Sequence, residues 1–179
     1  IQTYLDKIET SSKQLLDLIN KVLEISWTET ENIRLAESEC NLQSILQDIY
    51  DALSLHAAEK NLSFSLDTTK LVHRDVYSDP EKLKQLFMYL ANNAVIYTEI
   101  DGSVTISVSE LEYLPNDYVI YQFVVKDTGI GISESFLKRI FDPFEREKNT
   151  TISGVHGSGL GLTIAKNIAE TMGGNIEID

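Results

Sequence analysis

Two segments carry residue types that could do chemistry together: Asp127-Thr128-Gly129-Ile130-Gly131 and Gly157-Ser158-Gly159-Leu160-Gly161-Leu162. Glycine lets backbone approach a ligand closely and adopt positive φ without a Cβ clash. The first cluster follows a strand-like run, Tyr121-Gln122-Phe123-Val124-Val125, and opens with an acid. The second leads directly into Leu162-Thr163-Ile164-Ala165-Lys166-Asn167-Ile168-Ala169, which reads as a helix. A glycine-rich turn at a helix N-terminus presents unpaired N–H groups and the positive end of the helix dipole, which suits phosphate oxygens. One such loop says little, because turns are full of glycine. Two of them predict a nucleotide lying between an acidic loop and a helix start.

The pattern is neither of the common nucleotide loops. No Gly-x-x-x-x-Gly-Lys-Ser/Thr occurs, so a P-loop is absent. The second cluster lacks the spacing and the βαβ context of a dinucleotide fingerprint. Between the clusters stands Phe141-Asp142-Pro143-Phe144, and upstream stands Asn93-Ala94-Val95-Ile96-Tyr97-Thr98. These four segments, in this order, resemble the N, G1, F and G2 boxes of the ATP-binding domain of sensor histidine kinases, a branch of the Bergerat-fold ATPases. The resemblance spans essentially the whole chain.

The resemblance implies roles residue by residue. Asp127 would accept a hydrogen bond from the adenine N6 amine; by spacing alone an Asx turn ahead of a glycine loop is an equal reading. Gly129 and Gly131 would let backbone approach the base edge. Asn93 would hold Mg²⁺ through its amide oxygen, a hard ligand for a cation that keeps several waters and bridges phosphates. Tyr97, one turn on, would stack on the purine, although an aromatic on a helix is more often core. Gly157, Gly159 and Gly161 would form the phosphate-facing turn with Leu160 and Leu162 packed behind it. Phe141 and Phe144 would anchor the intervening loop. Arg146 and Lys148 in that loop would neutralise phosphate charge, with Arg146 and Asn93 carrying the transfer chemistry. Two positions depart from the family pattern: Tyr89 and Ile96 stand where an Asn and a Lys are usual. Both remove polar contacts to the triphosphate, which predicts weakened Mg·ATP binding or turnover.

These residues need elements to position them. Ile1, Leu5, Ile8, Ser12, Leu15, Ile19, Val22 and Ser26 form a heptad seam, widened by Leu16 and Leu23. Such a helix must pack against others, and it is similar to the second helix of the kinase dimerisation domain, half of a homodimeric four-helix bundle. Residues 1–30 are read as that truncated domain, and 31–179 as the ATP-binding domain with its last strands missing. Within the latter, Ile33-Arg34-Leu35 suggests a short strand. Asn41 caps a helix through Ile45, Ile49, Leu53 and Ala57 that ends near Asn61. Strands follow at Leu62–Leu66 and Arg74–Ser78. Asp79-Pro80 starts a helix whose buried face is Leu83, Leu86, Phe87, Leu90, Ala94 and Val95. Strands Val104–Leu111 and Tyr118–Lys126 flank Pro115-Asn116-Asp117. A short helix follows Ser133, residues 145–156 read as a loop, and the final helix stops at Gly173-Gly174 before a strand at Asn175–Asp179. The sum is an α+β Bergerat-fold sandwich: three helices on one face of a mixed sheet, preceded by a long heptad-patterned helix.

Composition bounds the partners. The chain has 179 residues, 42% hydrophobic, with a net charge of −13. That charge opposes nucleic acid. The apolar runs are too short to span a membrane, although full-length relatives are often membrane receptors, so an anchored parent stays open. The lone Cys40 builds neither disulfide nor zinc site and fits a reducing cytoplasm. None of the three histidines, His56, His73 and His156, has the acceptor's sequence context. The resemblance therefore implies a kinase passing the ATP γ-phosphoryl to a histidine on a helix missing here, for relay to a response-regulator receiver domain. The chain itself is expected to bind nucleotide without phosphorylating itself. Three rivals stay open: a chaperone- or topoisomerase-type ATPase, which lacks its N-box glutamate here; an anti-sigma-type serine kinase; and a non-catalytic, nucleotide-sensing pseudokinase module.

Overall fold

The computed structural model describes Ile19, residues 35–147 and residues 158–179. Apart from Ile19, which is helical and exposed, the predicted heptad helix lies outside the described residues, as does the segment 148–157 with Lys148, His156 and Gly157. The described residues divide into two compact units, Leu35–Leu137 and Lys138–Asp179.

The first unit begins with strand β1, Ser38–Asn41, paired antiparallel with β3, Asp75–Ser78, in register Ser38↔Ser78. Of the strand expected at Ile33–Leu35 only Leu35 is among the described residues, and it is irregular. Helix α1, Leu42–Glu59, follows without a loop because Asn41 caps it, its Oδ1 accepting from Ser44 N at 2.9 Å. Its apolar residues recur at three- and four-residue steps, so Leu42, Ile45, Leu46, Ile49, Leu53 and Ala57 are all buried. The turn after α1 needs a left-handed residue, and Asn61 supplies it at φ 53°.

Strand β2, Ser63–Lys70, runs parallel to β4, Ser103–Leu114, which pairs antiparallel with β5, Tyr118–Asp127. The sheet is mixed, as expected. A parallel pair needs a crossover, and β3 with helix α2, Pro80–Tyr97, provides it. Val104, Ile106 and Val108 alternate inward along β4. Helices α1 and α2 pack on one face: Tyr50 stacks on Phe64 with centroids 4.7 Å apart, and Phe87 meets Phe123 at 4.3 Å. On α2 the buried face is Leu83, Leu86, Phe87, Ala91, Ala94 and Val95; Leu90, expected there, is half-buried, and Ala91 takes its place.

Asp79 ties several of these parts together. It is buried, its Oδ1 caps α2 by accepting from Lys82 N at 3.0 Å, and its Oδ2 accepts from Ala36 N at 2.8 Å. In the separate three-stranded sheet a bulge on β4 divides Glu110 from Glu112. Glu110 there accepts from Val72 N at 2.6 Å, from His73 N, and contacts His73 Nδ1 at 2.9 Å. A short helix α3, Glu134–Leu137, closes this unit.

The second unit holds the F-box turn and helix α4, Gly161–Thr171, with Ile140, Leu160, Ile164, Ala165, Ile168 and Ala169 buried. Gly173, at φ 79°, ends the helix, and its N–H donates to Glu170 O. Residues 175–179, expected as a strand, are irregular. A strand exists through its ladder, and among the described residues none pairs with this segment.

Candidate functional site

Asn93 and Tyr97 lie one turn apart on the last two turns of α2, and both are half-buried. Among the described residues no hydrogen bond engages the Asn93 amide. Tyr89 and Ile96, the two departures from the expected box, are also half-buried on this helix.

The Asp127 turn is fastened to the end of α2. Asp127 Oδ1 accepts from Gly129 N at 2.8 Å, so the Asx turn read from sequence is present. The carboxylate is exposed, and no hydrogen bond among the described residues involves Oδ2. The Asx-turn and ligand readings are therefore compatible, each using a different oxygen. Beyond it, Thr128 N donates to Ser103 O at 3.1 Å, and Ser103 N donates to Thr128 Oγ1 at 2.9 Å. Ile130 N then donates to Tyr97 O at 3.2 Å. Gly129 sits so close to α2 that a β-carbon there would meet Tyr97 O at 2.6 Å. The structure thus brings Tyr97, Asp127 and Gly129 together, while Gly131 follows on the open side of the turn.

One partner in this junction escaped the sequence reading. Lys60 Nζ donates to Val95 O at 2.9 Å, Ile96 O at 2.8 Å and Thr98 O. No local pattern marks this lysine, because the carbonyls it meets lie about one helix-and-sheet crossover away along the chain.

In the second unit, α4 opens at Leu160 with no side-chain cap, whereas Asn41 and Asp79 cap α1 and α2. Among the described residues no side chain takes up its first N–H groups. Gly159 precedes them at φ 72°, where a β-carbon would meet Phe144 C at 2.7 Å. Phe144 N donates to Gly159 O at 3.0 Å, and Thr163 Oγ1 donates to Phe141 O at 2.9 Å, so the F box is bonded to the G2 turn. Phe141 also lies under Lys166 Nζ, 5.2 Å from the ring centroid. Phe144 corrects an expectation: it is 59% exposed and anchors through its backbone rather than by burial. Its left-handed φ of 65° serves the turn that makes that bond. Leu160 is fully buried, Gly161 and Leu162 half-buried, and Arg146 half-buried just past the F box.

Residues 78–179 match the model of the histidine kinase-, DNA gyrase B- and HSP90-like ATPases. The chain belongs to that ATPase family. Among its relatives, the sensor histidine kinase GacS of Pseudomonas protegens is 34% identical over 180 residues, covering 98% of this chain and 19% of that protein. Full-length ShkA in complex with AMPPNP superposes with a TM-score of 0.82 at 26% identity, over 96% of this chain and 34% of that one. The complex of histidine kinase ThkA with response regulator TrrA has a TM-score of 0.69 at 24% identity, covering 96% and 44%, and shows the shared fold. The chain spans about a fifth of the length of the curated relative it matches. It carries an ATP-binding domain of this ATPase family, similar to those of the sensor histidine kinases among its relatives. Among the described residues no helix is long and apolar enough to cross a membrane.

A divalent cation fits this donor set in one way. Among the described residues no group of three His, Cys, Asp or Glu side chains could hold a metal. A single amide such as Asn93 suits Mg²⁺ that draws its other oxygens from phosphates and water.

Proposed function

We propose that the parent protein is a two-component sensor histidine kinase whose ATP site is carried by this chain. Asp127 Oδ2 takes the adenine N6 amine, Tyr97 lies along the base, and Gly129 and Gly131 line its edge. Asn93 holds Mg²⁺. The uncapped amides that open α4, with Gly157, Gly159 and Gly161 in the turn before them, take phosphate oxygens, while Leu160 and Leu162 pack behind. Arg146 adds positive charge to the transferring group. The bond between the β–γ bridging oxygen and the γ-phosphorus breaks, ADP leaves, and a P–N bond forms to a histidine imidazole that gives up its proton. Positioning and charge neutralisation supply most of the rate.

The single observation that carries this reading is the attachment of the Asp127 turn to the helix bearing Asn93, through Ile130 N and Tyr97 O. Titration calorimetry of ATP with Mg²⁺ tests it: the wild-type chain binds, and Asp127→Asn loses most of the affinity. Equal binding by both refutes the assignment.

The wider assembly follows from the same reading. Residues 1–30 serve a homodimeric bundle carrying the acceptor histidine, and a response-regulator receiver domain takes the phosphoryl group in the cytoplasm. The ThkA complex with a response regulator supports such a partner. Tyr89 and Ile96 favour a second reading, a nucleotide-sensing module with little turnover. Phosphorylation of a full-length protein by γ-labelled ATP separates the two, since binding without label transfer selects the second.

A further inference from the structure

We propose that Lys60 is a positioning residue for the purine end of the site, acting through the carbonyls at the end of α2. This inference rests on the assignment of Asp127 to adenine.

Lys60 is the C-cap of α1, and its own N–H donates to Ala58 O. Its side chain leaves α1 and ends among the last carbonyls of α2, on Val95, Ile96 and Thr98. Those groups have no intrahelical donor, and α2 carries no basic residue in its own last turn. A cation there also meets the negative end of the helix dipole. Ala94 O is occupied separately, by Thr98 N at 3.0 Å and Thr98 Oγ1 at 2.6 Å. Of the carbonyls from Ala94 to Thr98, Tyr97 O alone is given to the Asp127 turn, through Ile130 N.

This allotment fixes direction. With the peptides on either side held by one ammonium group, the Tyr97 carbonyl points where Ile130 and Gly129 meet it. A second route leads from the same residue: Lys60 O accepts from Asp101 N at 3.1 Å, in the turn that leads to Ser103, and Ser103 exchanges two bonds with Thr128. Both routes end in the loop whose first residue is Asp127. Without the ammonium group, the carbonyls of Val95 and Ile96 must seek water, the Tyr97 peptide loses its orientation, and Asp127 Oδ2 drifts from the N6 position.

The comparison of ATP with ITP reads this directly, because inosine carries an oxygen in place of the N6 amine. Calorimetry uses the 179-residue chain with Mg²⁺, as wild type, Lys60→Met, Lys60→Arg and Asp127→Asn, and amide exchange follows Gly129 and Ile130. Lys60→Met is expected to weaken ATP by about tenfold, the size a lost hydrogen bond to a charged group produces, and to leave ITP nearly unchanged. Ile130 exchange rises while the β4 amides keep their protection. Lys60→Arg, which retains charge and donors, keeps the wild-type preference. If Lys60→Met does not fold, Lys60→Gln carries the same comparison. An unchanged ATP-to-ITP ratio, or equal losses for both nucleotides, overturns the role of Lys60 while Asp127→Asn still reports on the adenine contact. A wild-type chain that binds ITP as well as ATP overturns the Asp127 assignment and the Lys60 proposal with it.

Discussion

A β-carbon at Gly129 would lie 2.6 Å from Tyr97 O and 2.8 Å from Asp127 Oδ1, whereas one at Gly131 meets nothing within 4 Å. The two glycines of one box are thus needed for different reasons. Gly129 allows backbone contact with α2, while Gly131 relieves a left-handed φ of 67° and leaves its face open. Gly129→Ala should push the Asp127 turn off α2, lowering the melting temperature and removing most ATP affinity. Gly131→Ala should cost about 1 kcal/mol, the usual penalty of that φ for an L-residue, and Gly131→Asn less. Thermal unfolding and calorimetry on the three variants check the contrast; equal losses at 129 and 131 contradict it. The sequence made both glycines visible but not this difference, because a packing distance to a helix 32 positions upstream has no local signature.

Among the elements, helix starts were legible and long-range fastenings were not. Asn41 and Asp79-Pro80 obey a rule that operates within four residues, so their caps could be read directly. The double use of Asp79 could not, since Ala36 N arrives from a separate strand lead-in. Asp79→Ala removes the cap and an acceptor at once, and should cost about 2 kcal/mol by denaturant unfolding, about half from each loss. The strand expected at 175–179 failed for the converse reason, as alternation gives a strand its faces but not its partner. Glu110 offers a pH test at the β4 bulge. Desolvation alone would raise its pKa, but bonds from His73 and Val72 outweigh it and hold the carboxyl below its usual range. The unfolded chain therefore binds the proton first, and this contribution to stability fades as pH falls below about 4.3. Glu110→Gln should flatten that acid limb, seen by urea midpoints at pH 3 to 6, and leave stability at pH 7 lowered.

At the scale of the whole molecule, a chain of net charge −13 must bind a polyanion. Long-range electrostatics oppose this, so in the proposed site local amides and Mg²⁺ supply the attraction. ATP with Mg²⁺ at a hundredfold its dissociation constant should add about 2.7 kcal/mol of stability. A chelator should remove most of that gain while leaving the smaller gain from adenosine, and a chelator-insensitive ATP effect contradicts the metal role of Asn93. The boxes were readable because each is a contiguous run, whereas the bonds between runs emerge only in three dimensions. One of them has a wider consequence. Phe144 N and Gly159 O close the neck of the segment from 145 to 158. The cost of closing a necked segment grows only as the logarithm of its length, about 0.6 kcal/mol per doubling. A change in the number of residues between these two positions therefore costs the domain little, as long as this one bond keeps its partners.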